Sequence, residues 1–114
     1  EIRPRDWSSD VCSSDLPAYV FLFIEALQRA AAELGLDAAQ ARALALQTFT
    51  GAARLAASSD EDVSVLRERV TSKGGTTERA LASMREDKVV EAIVRAIHAA
   101  NTRAGELGDM LGKD

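Results

Sequence analysis

The sequence predicts an all-α fold, a bundle of about five helices, and three observations lead there. Hydrophobic residues make up 46% of the 114 residues while aromatics make up only 4%. Ala and Leu therefore carry the apolar content, which suits close-packed helices. Apolar positions recur with 3,4 spacing in segments from Ala18 to Leu107, separated by Gly, Ser and Asp. Strand-like alternation of useful length is missing, and so is a Gly-rich strand-to-helix fingerprint. The sequence thus shows no dinucleotide-binding fold of its own.

The first helix is predicted from Ala18 to Leu34, with Pro17 as a favourable first-turn residue. Its face is Tyr19, Val20, Phe23, Ala26, Leu27, Ala30, Ala31 and Leu34, and Phe21, Leu22 and Ile24 add apolar groups on the far side. A helix apolar all round is covered on both sides. In so short a chain, the second cover is expected from another subunit: an obligate, helix-swapped homodimer burying Phe21, Phe23 and Ile24. Gly35 and Leu36 read as a Schellman stop. Asp37-Ala38-Ala39-Gln40 is a variant capping box, with Leu36 and Ala41 as its staple. The second helix should run to about Ala57, with Ala41, Leu44, Ala45, Thr48, Phe49, Ala52, Leu55 and Ala56 inward and a neighbour packed on Gly51. Ser59 or Asp60 is expected to cap a short third helix to Arg69, with Val63, Leu66 and Val70 as its inner edge. A fourth helix follows from Thr76 to about Arg85. A fifth runs from about Asp87 to Leu107 on a face of Val90, Ile93, Val94, Ile97, Asn101, Ala104 and Leu107.

Residues 1–16 stand apart. They lack periodicity, repeat Ser-Ser-Asp, and hold the sole Trp and the sole Cys, Cys12. They read as adapter-derived sequence spliced onto a gene fragment, with a natural disordered tail as the plain alternative. Residues 17–114 are then the helical domain. The net charge of −4, with no basic block, disfavours nucleic acid and anionic membrane as partners. The longest apolar run, Leu16 to Ile24, is far short of the roughly 20 residues a bilayer requires. One cysteine cannot pair internally, which fits a reducing cytoplasm.

The segment with most chemical content is Val70-Thr71-Ser72-Lys73-Gly74-Gly75-Thr76-Thr77, opening into a helix. Glycines free the backbone and hydroxyls cluster where amide N–H groups have no partner, so the turn suits an anion such as a carboxylate. A loop with a threonine cap explains the same residues without a ligand. His98, the sole histidine, lies at the margin of an apolar face and reads as a packing or surface residue. The pairs Glu61/Asp62 and Glu86/Asp87 sit near predicted helix starts, where acids complement the helix dipole. No spacing suggests a metal site.

The strings Pro17-Ala18-Tyr19-Val20-Phe21, Gly51-Ala52-Ala53, Leu66-Arg67, Val70-Thr71-Ser72-Lys73-Gly74-Gly75-Thr76-Thr77 and Ala99 to Arg103 with Glu106-Leu107-Gly108 carry a resemblance. Over 17–108 the chain resembles the C-terminal dimerisation domain of pyrroline-5-carboxylate reductases. The resemblance implies an intertwined dimer, possible higher assembly, and a fold like the 6-phosphogluconate dehydrogenase C-terminal domain. It implies reduction of 1-pyrroline-5-carboxylate to L-proline by NADPH or NADH held on a separate Rossmann domain, so this fragment would bind no cofactor and be inactive alone. It places the substrate at Ser72, Gly74, Gly75, Thr76 and Thr77, with the Thr77 hydroxyl near the ring nitrogen as the catalytic candidate. Lys73 and Val63 depart from the family, where proline is common. The alternatives are a non-catalytic helical interaction module and the helical domain of a related small-acid reductase.

Overall fold

The computed structural model describes residues 15–112, with side chains to residue 108. Residues 1–14, including Cys12 and most of the segment set apart above, lie outside them. Five helices follow in order: α1 (Asp15–Glu33), α2 (Ala38–Ser58), α3 (Val63–Arg69), α4 (Thr76–Glu86) and α5 (Val89–Gly112). The described chain is all-helical, as its periodicity predicts. It divides into two compact units. One is Val20–Ala80; the other takes the first turn of α1, to Tyr19, and Leu81 onward.

The unit Val20–Ala80 is organised by the α1/α2 hairpin. The helix α1 begins at Asp15, so Pro17 falls within its first turn. It stops as Gly35 predicts. Gly35 adopts φ +112, its N–H donates to Ala32 O at 3.1 Å, and Leu36 N–H reaches back to Ala31 O at 3.1 Å. That pair of bonds is the Schellman pattern. The next helix starts on the complete capping box: Gln40 N–H donates to Asp37 Oδ1 at 2.8 Å, and Asp37 N–H to Gln40 Oε1 at 3.1 Å. The short link folds α2 back along α1. Phe23 and Phe49, equally far in sequence from Leu36, meet edge to face with centroids 5.8 Å apart. The fully buried apolar residues among those described are alanines: Ala31, Ala41 and Ala45. They let the two backbones approach closely.

Several expected contacts are absent. Among the described residues nothing lies within 4 Å of a Cβ built on Gly51, so none of them packs there. The cap of α3 is Asp62, not Ser59 or Asp60. Ser59 ends α2, and its Oγ accepts Glu61 N–H at 3.0 Å. Asp62 accepts Ser64 N–H at 3.0 Å and also the Ser64 hydroxyl. First that hydroxyl, then that N–H, hold the Asp62 carboxyl below its ordinary value. Val63 and Val70 are 63% and 65% exposed, so the predicted inner edge of α3 reduces to half-buried Leu66.

In the second unit, α4 ends at Glu86 and Lys88 adopts φ +56 before α5. Glu86 therefore sits at a helix C-terminus and not at a start. Lys88 O accepts the first turn of α5, from Ala92 N–H at 2.9 Å. The predicted face of α5 has the right period but is open: Val90, Ile93, Val94 and Leu107 are exposed, while Ile97 and Ala104 are half-buried. On α1, Phe21, Leu22 and Phe23 are exposed as well, and Ile24 is half-buried.

Candidate functional site

The Gly-Gly turn begins where α3 unwinds. Val70 N–H donates to Arg67 O at 3.3 Å, Thr71 N–H to Glu68 O at 3.1 Å, and the Thr71 hydroxyl to Arg67 O at 2.6 Å. These bonds satisfy carbonyls that α3 leaves open. Gly75 N–H then donates to Ser72 O at 3.0 Å, closing a four-residue turn. Gly74, its third residue, has φ +76, and Lys73 is not in the left-handed region, so the turn is type II. The two glycines serve different ends. Gly74 supplies the positive φ. A Cβ on Gly75 would stand 3.3 Å from Ser72 O, tighter than side chains normally tolerate.

Gly75 is also the residue before α4, and its carbonyl accepts Arg79 N–H at 3.2 Å. Thr76 and Thr77 are the first two helical residues. The cap position is thus glycine, and neither threonine caps the helix. Among the described residues, no partner is present for the N–H groups of Thr76 and Thr77 or for the hydroxyls of Ser72, Thr76 and Thr77. Ser72, Gly74, Thr76 and Thr77 are exposed and Gly75 is half-buried. All five sequence-predicted residues therefore fall on one short stretch at the positive end of α4, where donors suit an anion.

One residue of the turn escaped the sequence reading. The Glu78 carboxylate accepts Gly74 N–H at 2.7 Å. An acid three positions after the helix cap commonly reaches back to the cap's own N–H; here Gly75 N–H is taken by Ser72 O and Glu78 meets the amide one residue earlier, and that spacing is the signal that could have found it. His98 is exposed on α5. Glu61, one residue ahead of the Asp62 cap, pairs with Arg69.

Five helices, a few buried alanines and broad open apolar faces define an all-helical association domain with an anion-suited turn at one helix start. The chain belongs to the pyrroline-5-carboxylate reductase dimerisation family, whose pattern it matches over residues 6–107. It is 42% identical over 97 residues to a pyrroline-5-carboxylate reductase of Pseudomonas aeruginosa, covering 85% of this chain and 36% of the relative. It is 46% identical over 92 residues to that of Vibrio alginolyticus, covering 80% of this chain and 34% of the relative. Among solved structures, a pyrroline-5-carboxylate reductase from Coxiella burnetii matches with TM-score 0.83 and 42% identity, over 93% of this chain and 40% of that one. A Plasmodium falciparum pyrroline carboxylate reductase with NADP bound matches with TM-score 0.85 and 30% identity, over 92% and 43%. The chain spans about a third of the length of the curated relatives it matches.

Proposed function

We propose that this chain is the dimerisation and substrate-loop domain of a pyrroline-5-carboxylate reductase, which reduces 1-pyrroline-5-carboxylate to L-proline in the cytoplasm. The observation that carries the reading is the start of α4. A glycine cap leaves the Thr76 and Thr77 amides, and three hydroxyls beside them, without partners among the described residues, in a chain of this family. The substrate carboxylate is held there by the Ser72 hydroxyl and the amides after Gly75. Donors fixed in place before the substrate arrives need no reorganisation when charge develops. The Thr77 hydroxyl faces the ring nitrogen.

The reductant is NADPH or NADH, which supplies hydride. The residues described here do not fit that cofactor: they form helices, and the strand and Gly-rich turn that cradle a pyrophosphate are not among them. The nucleotide is held by another part of the enzyme, and this chain alone does not turn over. The domain's second role is to form a homodimer, in which the open faces of α1 and α5 are covered by the partner.

The reading is tested by titrating L-proline and pyrroline-5-carboxylate into the full-length reductase that carries this domain, with and without Ser72→Ala. Saturable binding weakened by Ser72→Ala supports it. Tight binding untouched by that change removes the turn as the carboxylate site, and no saturable binding of either ligand points to the helical domain of a reductase with a different small acid.

A further inference from the structure

The bond from Gly74 N–H to Glu78 Oε1, 2.7 Å long, fixes more than the end of a helix. Gly74 is the third residue of the type II turn, so the peptide that carries this N–H is the central one, Lys73–Gly74. Type I and type II turns differ chiefly in which way that peptide faces. With Gly74 at φ +76 its N–H is directed at the first turn of α4. A flip would take the N–H away and present the Lys73 carbonyl oxygen on the same side. A carboxylate accepts hydrogen bonds and donates none, so Glu78 holds one orientation and repels the other.

We propose that Glu78 is a positioning residue of the carboxylate-binding turn. Its bond to the Gly74 amide locks the central peptide in the type II orientation, which keeps a carbonyl oxygen from intruding on the donors that meet the substrate carboxylate. The inference rests on the reading of the Ser72–Thr77 turn as that site. Glu78 does not itself touch the substrate. Its effect is on the fraction of enzyme whose turn is ready, and a reduced ready fraction weakens apparent binding in proportion.

The test is steady-state kinetics of the full-length reductase with Glu78→Ala, Glu78→Gln, Glu78→Asp and Ser72→Ala. Glu78→Ala, and Glu78→Asp with its shorter reach, should raise KM for the carboxylate substrate about threefold to tenfold and leave kcat within about twofold. Glu78→Gln should recover only part of the KM: its amide oxygen accepts the same N–H, while its NH2 can also meet the flipped Lys73 carbonyl. If Glu78→Ala fails to fold, Glu78→Asp and Glu78→Gln carry the comparison. Wild-type KM in Glu78→Ala or Glu78→Asp alongside a raised KM in Ser72→Ala overturns this inference and leaves the site reading standing. An equal KM defect in Glu78→Gln also overturns it, because charge and not the bond would then matter. An unchanged KM in Ser72→Ala removes the site reading and this inference with it.

Discussion

Arg69, the last residue of α3, and Glu61, just ahead of that helix's cap, meet in a two-pronged ion pair, with Arg69 Nη2 2.6 Å from Glu61 Oε2. Planar guanidinium against carboxylate in this fork is the strongest geometry for such a pair. It ties the C-terminal end of α3 to the loop before it, immediately upstream of the Gly-Gly turn. Both side chains remain substantially exposed, 60% and 42%, so solvent screening limits its worth. Arg69→Ala should cost about 0.5–1 kcal/mol. The loss should shrink in molar salt, and Arg69→Lys should recover only part of it, because lysine lacks the fork. Chemical denaturation at two salt concentrations measures this; a cost that does not respond to salt would mean that lost packing, not the pair, is responsible.

Lys73 occupies the second position of the type II turn, where proline's fixed φ is already correct. Lys73→Pro should therefore raise stability by about 0.4–1 kcal/mol by restricting the unfolded chain. The urea midpoint should rise with an unchanged slope. A falling midpoint would show that Lys73 N–H or its φ is needed as it stands.

Lys88 stands at φ +56 between α4 and α5. A side chain in that left-handed region costs about 1–2 kcal/mol, less what glycine loses in chain entropy. Lys88→Gly should stabilise the protein by about 0.5–1 kcal/mol, and Lys88→Ala should change little. Thermal melts of the two variants side by side distinguish relief of the backbone from loss of the lysine charge.

Thr77 is the second residue of α4 and leaves the cap to Gly75. Thr77→Ala should therefore leave the melting point nearly unchanged. If its hydroxyl serves the substrate, catalytic efficiency of the full-length enzyme should drop ten- to a hundredfold, equivalent to about 1.5–3 kcal/mol. A lowered melting point with normal efficiency would return Thr77 to a purely structural role.

Val94 on α5 is 47% exposed within one chain. On a free surface, Val94→Asp would change stability by no more than about 0.5 kcal/mol. If the partner covers this face, the same change places a carboxylate in an apolar interface. It should then abolish the dimer in sedimentation at micromolar concentration and lower the melting point by many degrees. A stable, folded monomer of the unmodified protein would sink the dimer reading outright.

The sequence by itself determined the places where helices start and stop. Gly35-Leu36, Asp37 with Gln40, and Gly75 before Thr76 act through hydrogen bonds among residues within five positions of one another, so their chemistry is readable without knowing the fold. The helix faces were legible in period for the same reason. Choice among competing local partners was not. Ser59, Asp60 and Asp62 are all fair caps in composition, and the path of the chain between α2 and α3 brought Asp62 onto Ser64 and turned Ser59 toward Glu61. The clasp of Glu78 on Gly74 likewise required the type II turn to exist before an amide could be offered. Burial was least legible of all. Val63, Val70 and Val94 carry the pattern of inward residues yet face outward within one chain, because periodicity records that an apolar face will be covered, and only the tertiary structure decides whether this chain's own helices cover it.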